Sequence, residues 1–434
     1  MRPRDRSRTA CHPRGMGLYA QLLRLPHVAV LLAATTVARL PIGINGLAVV
    51  LYVREVTGSF AIAGLATGAL ALGTAVMAPL AARLVDRRGA RMLIPLAFGH
   101  AGSLLALWAL GSAGAPGAAL AAAAFSAGAA FPPSGAVLRS RWPDLIRDPG
   151  MLRTAYAFDS VVVEFAFVTG PLLTAVLVAL VGPQAALGVS AALVLVGTTA
   201  FLDRLPGARA PRERAEAHRG ILGPLGQPAI LVVALTTLPV GFCLGAVEVA
   251  LPAFSDGHGS PALAGILLAV WSGASGVGGL VFGARHLRSG LVETYLAIAL
   301  LFPLACLPLV AASSPLAMAA LAVLAGLPIA PLIASRNQLV GARAPRGAGA
   351  ESFTWLLTAL VAGSALGAAV TGALAEADSW RLGVLVGVGL AAGGAALALA
   401  YGAPCTLGRR PAEPVARATH RAAVRGWADF RHRW

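Results

Sequence analysis

"RLVDRRGAR", Arg83–Arg91, packs four arginines and one aspartate into nine residues, and on either side of it lie blocks with no Asp, Glu, Lys or Arg at all, 60–82 and 92–112. Outward from this pair the same alternation runs the length of the chain. Apolar blocks fall near 28–53, 60–82, 92–112, 117–138, 155–180, 184–202, 228–253, 261–283, 291–311, 315–335, 351–375 and 381–402. Blocks of about 19–26 residues are long enough to cross a hydrocarbon layer of roughly 30 Å. With no water in that layer, each block must be helical to satisfy its own backbone. The expected fold class is an all-α integral membrane protein with twelve transmembrane helices.

Composition agrees. Of 434 residues, 57% are hydrophobic and 12% charged, with a mean hydropathy of +0.77. Globular chains carry roughly 25% charged residues. The net charge is 34 − 18 = +16 and every basic residue is arginine. These arginines sit between apolar blocks without interleaved aromatics, so they speak for membrane topology and against nucleic acid as a partner. An all-Arg, Ala- and Gly-rich chain reads as a GC-rich coding sequence of actinobacterial type. The four cysteines, Cys11, Cys243, Cys306 and Cys405, have neither metal nor disulfide spacing. Six arginines precede a first apolar block long enough to span, which is not a secretory signal. "MGLYAQLLRLP" from Met16 reads as a natural start.

The segment before block 1, the loops after blocks 2, 4, 6, 8 and 10, and the tail hold 31 of the 34 arginines; the opposite side has Arg54 and Arg381, and Arg39 lies within block 1. The positive-inside rule then puts both termini in the cytoplasm of a multi-pass protein of the bacterial plasma membrane. The expected organisation is a cytoplasmic segment 1–27, a six-helix bundle 28–202, a linker 203–227 read as a solvated tether, a second bundle 228–402, and a basic tail 403–434. That tail is either a helix on the inner leaflet or without structure.

The two bundles repeat. "LPIG" at 40–43 recurs as "LPVG" at 238–241, and "AGL" at 63–65 as "AGI" at 264–266. Arg87 and Gly89 recur as Arg288 and Gly290; Arg139, Gly170 and Thr174 recur as Arg336, Gly367 and Thr371. The offset stays within 197–201 residues. Two six-helix halves of one orientation put a solute site at their interface near mid-membrane.

With the loop, the helix count and the repeat together, the chain resembles the major facilitator superfamily over about 28–402. The family's loop pattern, roughly G-x-L-x-D-R-x-G-R-R, is met by Leu84, Asp86, Arg87, Gly89 and Arg91; Ala82 and Ala90 depart from it. The second copy keeps Gly283, Arg288 and Gly290, with Leu287 in place of the aspartate. The resemblance implies alternating access and a gating role for Asp86, Arg87, Gly89 and Arg91, with Arg139 or Arg141 as partner of Asp86. The alternative is that the arginines only anchor topology. "AFVTGPLLTAVL" at 166–177 matches part of the helix-5 motif of drug–proton antiporters through Gly170 and Pro171, while Ala166 and Thr174 replace glycines. That match favours export or reflects close packing alone.

Charges inside the membrane each need an account. Counted along their blocks, Arg39 and Glu164 reach similar depth, and a pair between them is expected. It serves either proton coupling or as a permanent link between helices 1 and 5. Asp159 lies five residues before Glu164, about 140° round the helix, and is expected near the arginines of helix 4. Glu248, late in helix 7, is a substrate or proton candidate, or a hydrogen-bonded carboxyl at the outer mouth. A cavity holding both glutamates suits a cationic or polar solute. Glu351 is expected to be a solvated helix start, and His100 a packed, satisfied side chain. "FPPSG" at 131–135 and "LPIAP" at 327–331 put Pro132, Pro133, Pro328 and Pro331 at matching positions as hinges or fixed kinks.

The expected function is secondary active transport: proton-coupled efflux of a small hydrophobic or amphipathic compound, with proton-linked uptake of a sugar or metabolite as the alternative. Further off stand a non-transporting sensor and a membrane-embedded enzyme. No cofactor is implied, since no G-x-x-x-x-G-K-[ST] occurs and the proton gradient supplies the energy. No metal set is present in the histidines. The expected partners are a small-molecule solute and the bilayer, and the family resemblance implies a monomer.

Overall fold

A computed structural model describes residues 16–206, 223–258, 261–285, 290–345, 347–375, 377 and 379–400. Twelve helical spans cross it: α1 Val28–Thr57, α2 Ile62–Arg88, α3 Ala90–Ser112, α4 Gly117–Leu145, α5 Pro149–Leu180, α6 Pro183–Arg204, α7 Pro228–Gly257, α8 Leu263–Ala284, α9 Leu291–Ala311, α10 Pro315–Arg343, α11 Gly349–Ala375 and α12 Trp380–Ala400. A short helix, Met16–Arg24, precedes them. The copy of the loop motif at Arg288 and the tail 403–434 lie outside the described residues, as does most of the linker.

Several helices run past their apolar blocks at the arginine-rich end. α2 continues to Arg88 and α10 to Arg343. α5 begins six residues before its apolar block, at Pro149, because the Asp148 carboxylate accepts from the Met151 N–H at 2.6 Å and Pro149 suits a first turn. Hydropathy registers only the stretch that needs hydrocarbon; caps set the true ends.

Prolines divide three spans. α1 turns at Leu40, ahead of Pro41. α4 is interrupted over 131–133, at Phe131, Pro132 and Pro133, and α10 between Gly326 and Ile329, at Leu327 and Pro328, with Pro331 in the first turn of the segment that follows. The breaks in α4 and α10 stand at equivalent places in the two halves. α7 passes through Pro239 without a break, so the "LPIG" and "LPVG" copies differ in backbone.

Small residues hold each half together. A Cβ on Gly43 of α1 would strike the Ala166 carbonyl of α5, and Gly170 of α5 lies against the Gly43 backbone. In the second half Gly241 and Gly245 of α7 meet the backbone of Leu360 and Ser364 in α11, while Gly363 and Gly367 meet Leu238 and Phe242. Gly43 matches Gly241, and Gly170 matches Gly367, so the sequence repeat is here a packing repeat. Side chains such as Ile44, Val49, Leu104, Leu107 and Val194 fill the first half's core. Outward-facing Leu72, Phe98, Leu172, Val196 and Leu316 are exposed, as lipid contact requires.

Gly367→Ala puts a methyl into the Phe242 carbonyl, and overpacking of this kind costs about 1–3 kcal/mol. Its melting temperature in detergent is expected to fall by several degrees. Gly46→Ala, where nothing lies within 4 Å, is expected to match or exceed the wild type. Equal melting temperatures for all three proteins would show that the α7–α11 contact is loose.

Candidate functional site

Charged side chains gather where the halves meet. Asp86, at the end of α2, is buried, and its carboxylate accepts from the backbone N–H of Glu351 at 2.9 Å and of Ala350 at 3.3 Å. These are orphan donors of the first turn of α11, and the positive end of that helix favours the carboxylate. Beside it the Arg83 guanidinium pairs with the Glu351 carboxylate at 2.6 Å. Gly223, near the end of the linker with φ +47, lies so close to both Arg83 and Glu351 that an added Cβ would strain the backbone and push their side chains aside.

This corrects three expectations. Glu351 is 4% exposed and ion-paired, not a solvated helix start. The end of the linker is packed on the Arg83–Glu351 pair, so it is not a free tether. Arg139 does not serve Asp86, because its guanidinium is taken up elsewhere. Arg141 lines the same small cleft as Asp86, with Gly89, Val137 and Ser140. Arg87 and Arg91 are exposed, and Gly89 turns the chain at φ +93, where other residues are strained.

Deeper in, Asp159 of α5 sits between two arginines, with Oδ1 2.7 Å from Nη1 of Arg39 and Oδ2 2.6 Å from Nε of Arg139. Both Arg39 and Asp159 are buried. Gly135 of α4 lies directly against the Arg39 guanidinium and leaves it room. The expected Arg39–Glu164 pair is therefore replaced by Arg39–Asp159. The depth estimate started α5 at its apolar block. Counted from Pro149, Asp159 is the eleventh residue of its helix, and Arg39 is the twelfth from Val28. Equal depth belongs to Asp159, and the 140° between Asp159 and Glu164 puts the latter on another face.

Glu164 faces the other half instead. Its Oε1 accepts from the Ser275 hydroxyl of α8 at 3.1 Å. Glu248 of α7, with its Oε2 3.3 Å from the Ser364 hydroxyl of α11, lies within electrostatic reach of Glu164. Both glutamates thus border the space between the halves. Neither serine was singled out from sequence, since serines are common in spans and nothing marks one that meets a carboxylate. His100 is packed as expected. Its Nδ1–H donates to the Ala127 carbonyl at 2.7 Å, which leaves Nε2 to accept from the Asn45 amide at 3.3 Å.

More bonds close the arginine-rich end across the halves. The Thr154 hydroxyl donates to the Gly283 carbonyl at 2.7 Å, and further in, toward mid-span, Thr358 donates to Ala75 at 3.1 Å. Tyr19, from the short N-terminal helix, donates to the Leu280 carbonyl at 2.8 Å. Burial pushes its phenol up to about 12, so it keeps its proton and remains a donor. Together with the Asp86 cap, these bonds seal that end.

Known proteins share this fold. The family described as Major Facilitator Superfamily matches residues 31–288 and 233–434. An uncharacterized MFS-type transporter, y4rN, of Sinorhizobium fredii (strain NBRC 101917 / NGR234) is 31% identical over 279 residues, which are 61% of this chain and 68% of that protein. Among solved structures, a bacterial homologue of the iron transporter ferroportin in an outward-facing state superposes with TM-score 0.69 at 13% identity, over 86% of this chain and 98% of that one. The human organic anion transporter MFSD10 (TETRAN) gives 0.66 at 17% identity, and a variant of the E. coli fucose:proton symporter FucP gives 0.66 at 13%; each match covers 87% of this chain and 99% of the other. At such identities the structural likeness concerns the fold. Twelve apolar helices in two halves, a carboxylate cap between them, and a family match spanning both halves lead to one conclusion: the chain belongs to the Major Facilitator Superfamily and is a multi-pass membrane secondary transporter, not an enzyme.

Proposed function

We propose that this transporter exports a small hydrophobic or amphipathic compound across the bacterial plasma membrane in exchange for protons, with both termini in the cytoplasm. The arginine bias supports that orientation. In it, the sealed end is the cytoplasmic one, and the state described opens outward.

The observation that carries proton coupling is the Glu164–Ser275 hydrogen bond across the halves. Asp159 is locked between two guanidinium groups, and protonating it would strand both. Glu164 has a hydroxyl partner instead. A serine can donate to a carboxylate or accept from a carboxyl, so either protonation state can keep the bond while the affinity between the halves changes. Glu248 and Ser364 offer a second site of the same kind. The paired breaks in α4 and α10 supply points at which the halves can flex during alternating access. The partial antiporter motif around Gly170 and Pro171 supports export.

Efflux of fluorescent amphipathic dyes from expressing cells is expected to collapse with a protonophore. With Glu164→Gln it should fall at least tenfold at unchanged expression and melting temperature. Full efflux by the variant would return Glu164 to packing, and dye accumulation driven by protons would turn the direction to uptake.

Asp86→Asn removes the charge and one acceptor from the α11 cap. Hydrogen bonds to charged groups contribute about 1.5–3 kcal/mol, a shift of roughly ten- to a hundredfold away from the sealed state. In a cysteine-free background, Phe353→Cys is buried behind this seal. Its labelling by a maleimide from the cytoplasmic side is expected to speed up by that factor in the Asp86→Asn variant. Unchanged labelling would mean that the cap does not hold the state.

A further inference from the structure

Arg336 of α10 is the repeat counterpart of Arg139, 197 residues later. Arg139 has Asp159. At the same offset the second half has Leu356 in place of Asp159, and Thr237 stands where α1 has Arg39. One arginine has been kept and its carboxylate is missing. Arg336 is nevertheless buried, at 6% exposure. Among the described residues its polar partner is the Asn337 amide oxygen, 3.3 Å from Nη2, while its Nε donates to nothing.

A second donor is stranded beside it. The amide Nδ2 of Asn337, itself 1% exposed, also lacks an acceptor. Because the amide oxygen of Asn337 touches the guanidinium, its nitrogen lies within a few ångströms of the same spot. The hydroxyls of Thr236 and Tyr295 bond to one another nearby, and the Tyr295 ring is within electrostatic reach of Arg336. No carboxylate is spared for it next door: Asp159 is taken up by Arg39 and Arg139 together, and Arg139 is a like-charged neighbour of Arg336. An uncompensated guanidinium in a dry interior is strongly disfavoured. What both stranded groups need is an acceptor with negative charge.

We propose that Arg336 and Asn337 form an anion subsite that takes the carboxylate of the transported solute, so that the amphipathic compound is an organic acid. The site lies behind the cytoplasmic seal and is loaded from that side once the halves part, as an exporter requires. The guanidinium supplies charge and a fork of donors, and Asn337 adds a further one. The carboxylate of the solute does for the second half what Asp159 does permanently for the first. This deepens the exporter reading and rests on it for the direction of loading.

Binding to the purified, detergent-solubilised full chain tests the site without any transport assay. Thermal stabilisation would be titrated with 2-naphthoate, its neutral analogue 2-naphthamide, and chloride. Two variants are compared. Arg336→Met removes the charge, and since an apolar replacement of a lone buried charge is well tolerated, it should melt no lower than the wild type. Asn337→Asp installs an internal carboxylate beside Arg336 and should melt higher. The expected result is stabilisation of the wild type by 2-naphthoate, at least tenfold weaker binding of 2-naphthamide, and at least tenfold weaker 2-naphthoate binding in both variants. Equal binding by the variants, equal binding of the amide, or no wild-type response to naphthoate would overturn the proposal. A response to chloride alone would reduce the site to an inorganic-ion pocket and overturn it as well. If efflux fails while Arg336-dependent naphthoate binding persists, the exporter reading falls and the anion subsite stands.

Discussion

The carboxylate of Asp86 crosses from one half to close the first turn of a helix in the other, and the sealed end is organised around it. A backbone cap has an advantage here over an ion pair. The donors of α11 are already fixed by the helix, so no second long side chain has to be ordered, and no second charge has to be stripped of water. The net worth of such a bond is small beside the packing within each half. A transporter needs this inequality: glycine-tight helix contacts inside each half keep the halves rigid, while the bonds between them can be made and broken in every cycle. Arg83–Glu351 flanks the cap, and Gly223 lies over that pair, so the linker between the halves ends on the element whose opening it must follow.

Much of this was legible in the sequence because the bilayer imposes one rule that sequence displays directly. A span must be apolar, long and helical, so block counting found all twelve. The repeat offset likewise marked glycines that sit at close helix crossings: Gly43 and Gly170 at α1–α5, and their counterparts Gly241 and Gly367 at α7–α11. The charges were harder. Depth read from hydropathy misplaced the start of α5 by six residues, and a turn and a half of helix was enough to exchange Asp159 for Glu164 as partner of Arg39. Glu351 and the end of the linker were misread for another reason. Their partners belong to the opposite half, and nothing local in "GAGAES" at 347–352 announces that Arg83 and Asp86 will meet it. Contacts between spans of high sequence separation leave no periodic trace; contacts within a span do.

The two halves separate what packing demands from what function demands. Where backbones cross closely, at Gly43 and Gly241 or at Gly170 and Gly367, both copies keep glycine, because either crossing would fail with a side chain. At the buried charges the copies part company. Arg39 answers to Thr237 and Asp159 to Leu356, and only Arg139 has kept its like, in Arg336. Were the Arg–Asp–Arg cluster needed simply to hold a six-helix bundle together, the second half would need one too, yet it packs at its α7–α11 crossing as tightly as the first does at α1–α5. The cluster is therefore specific to the first half, where it holds Asp159 between two guanidinium groups, while Glu164, on another face of the same helix, meets only a hydroxyl of the opposite half. The lone arginine of the second half follows the same logic in reverse. Its Nε meets no acceptor within the second half, which is why an entering anion is the partner proposed for it.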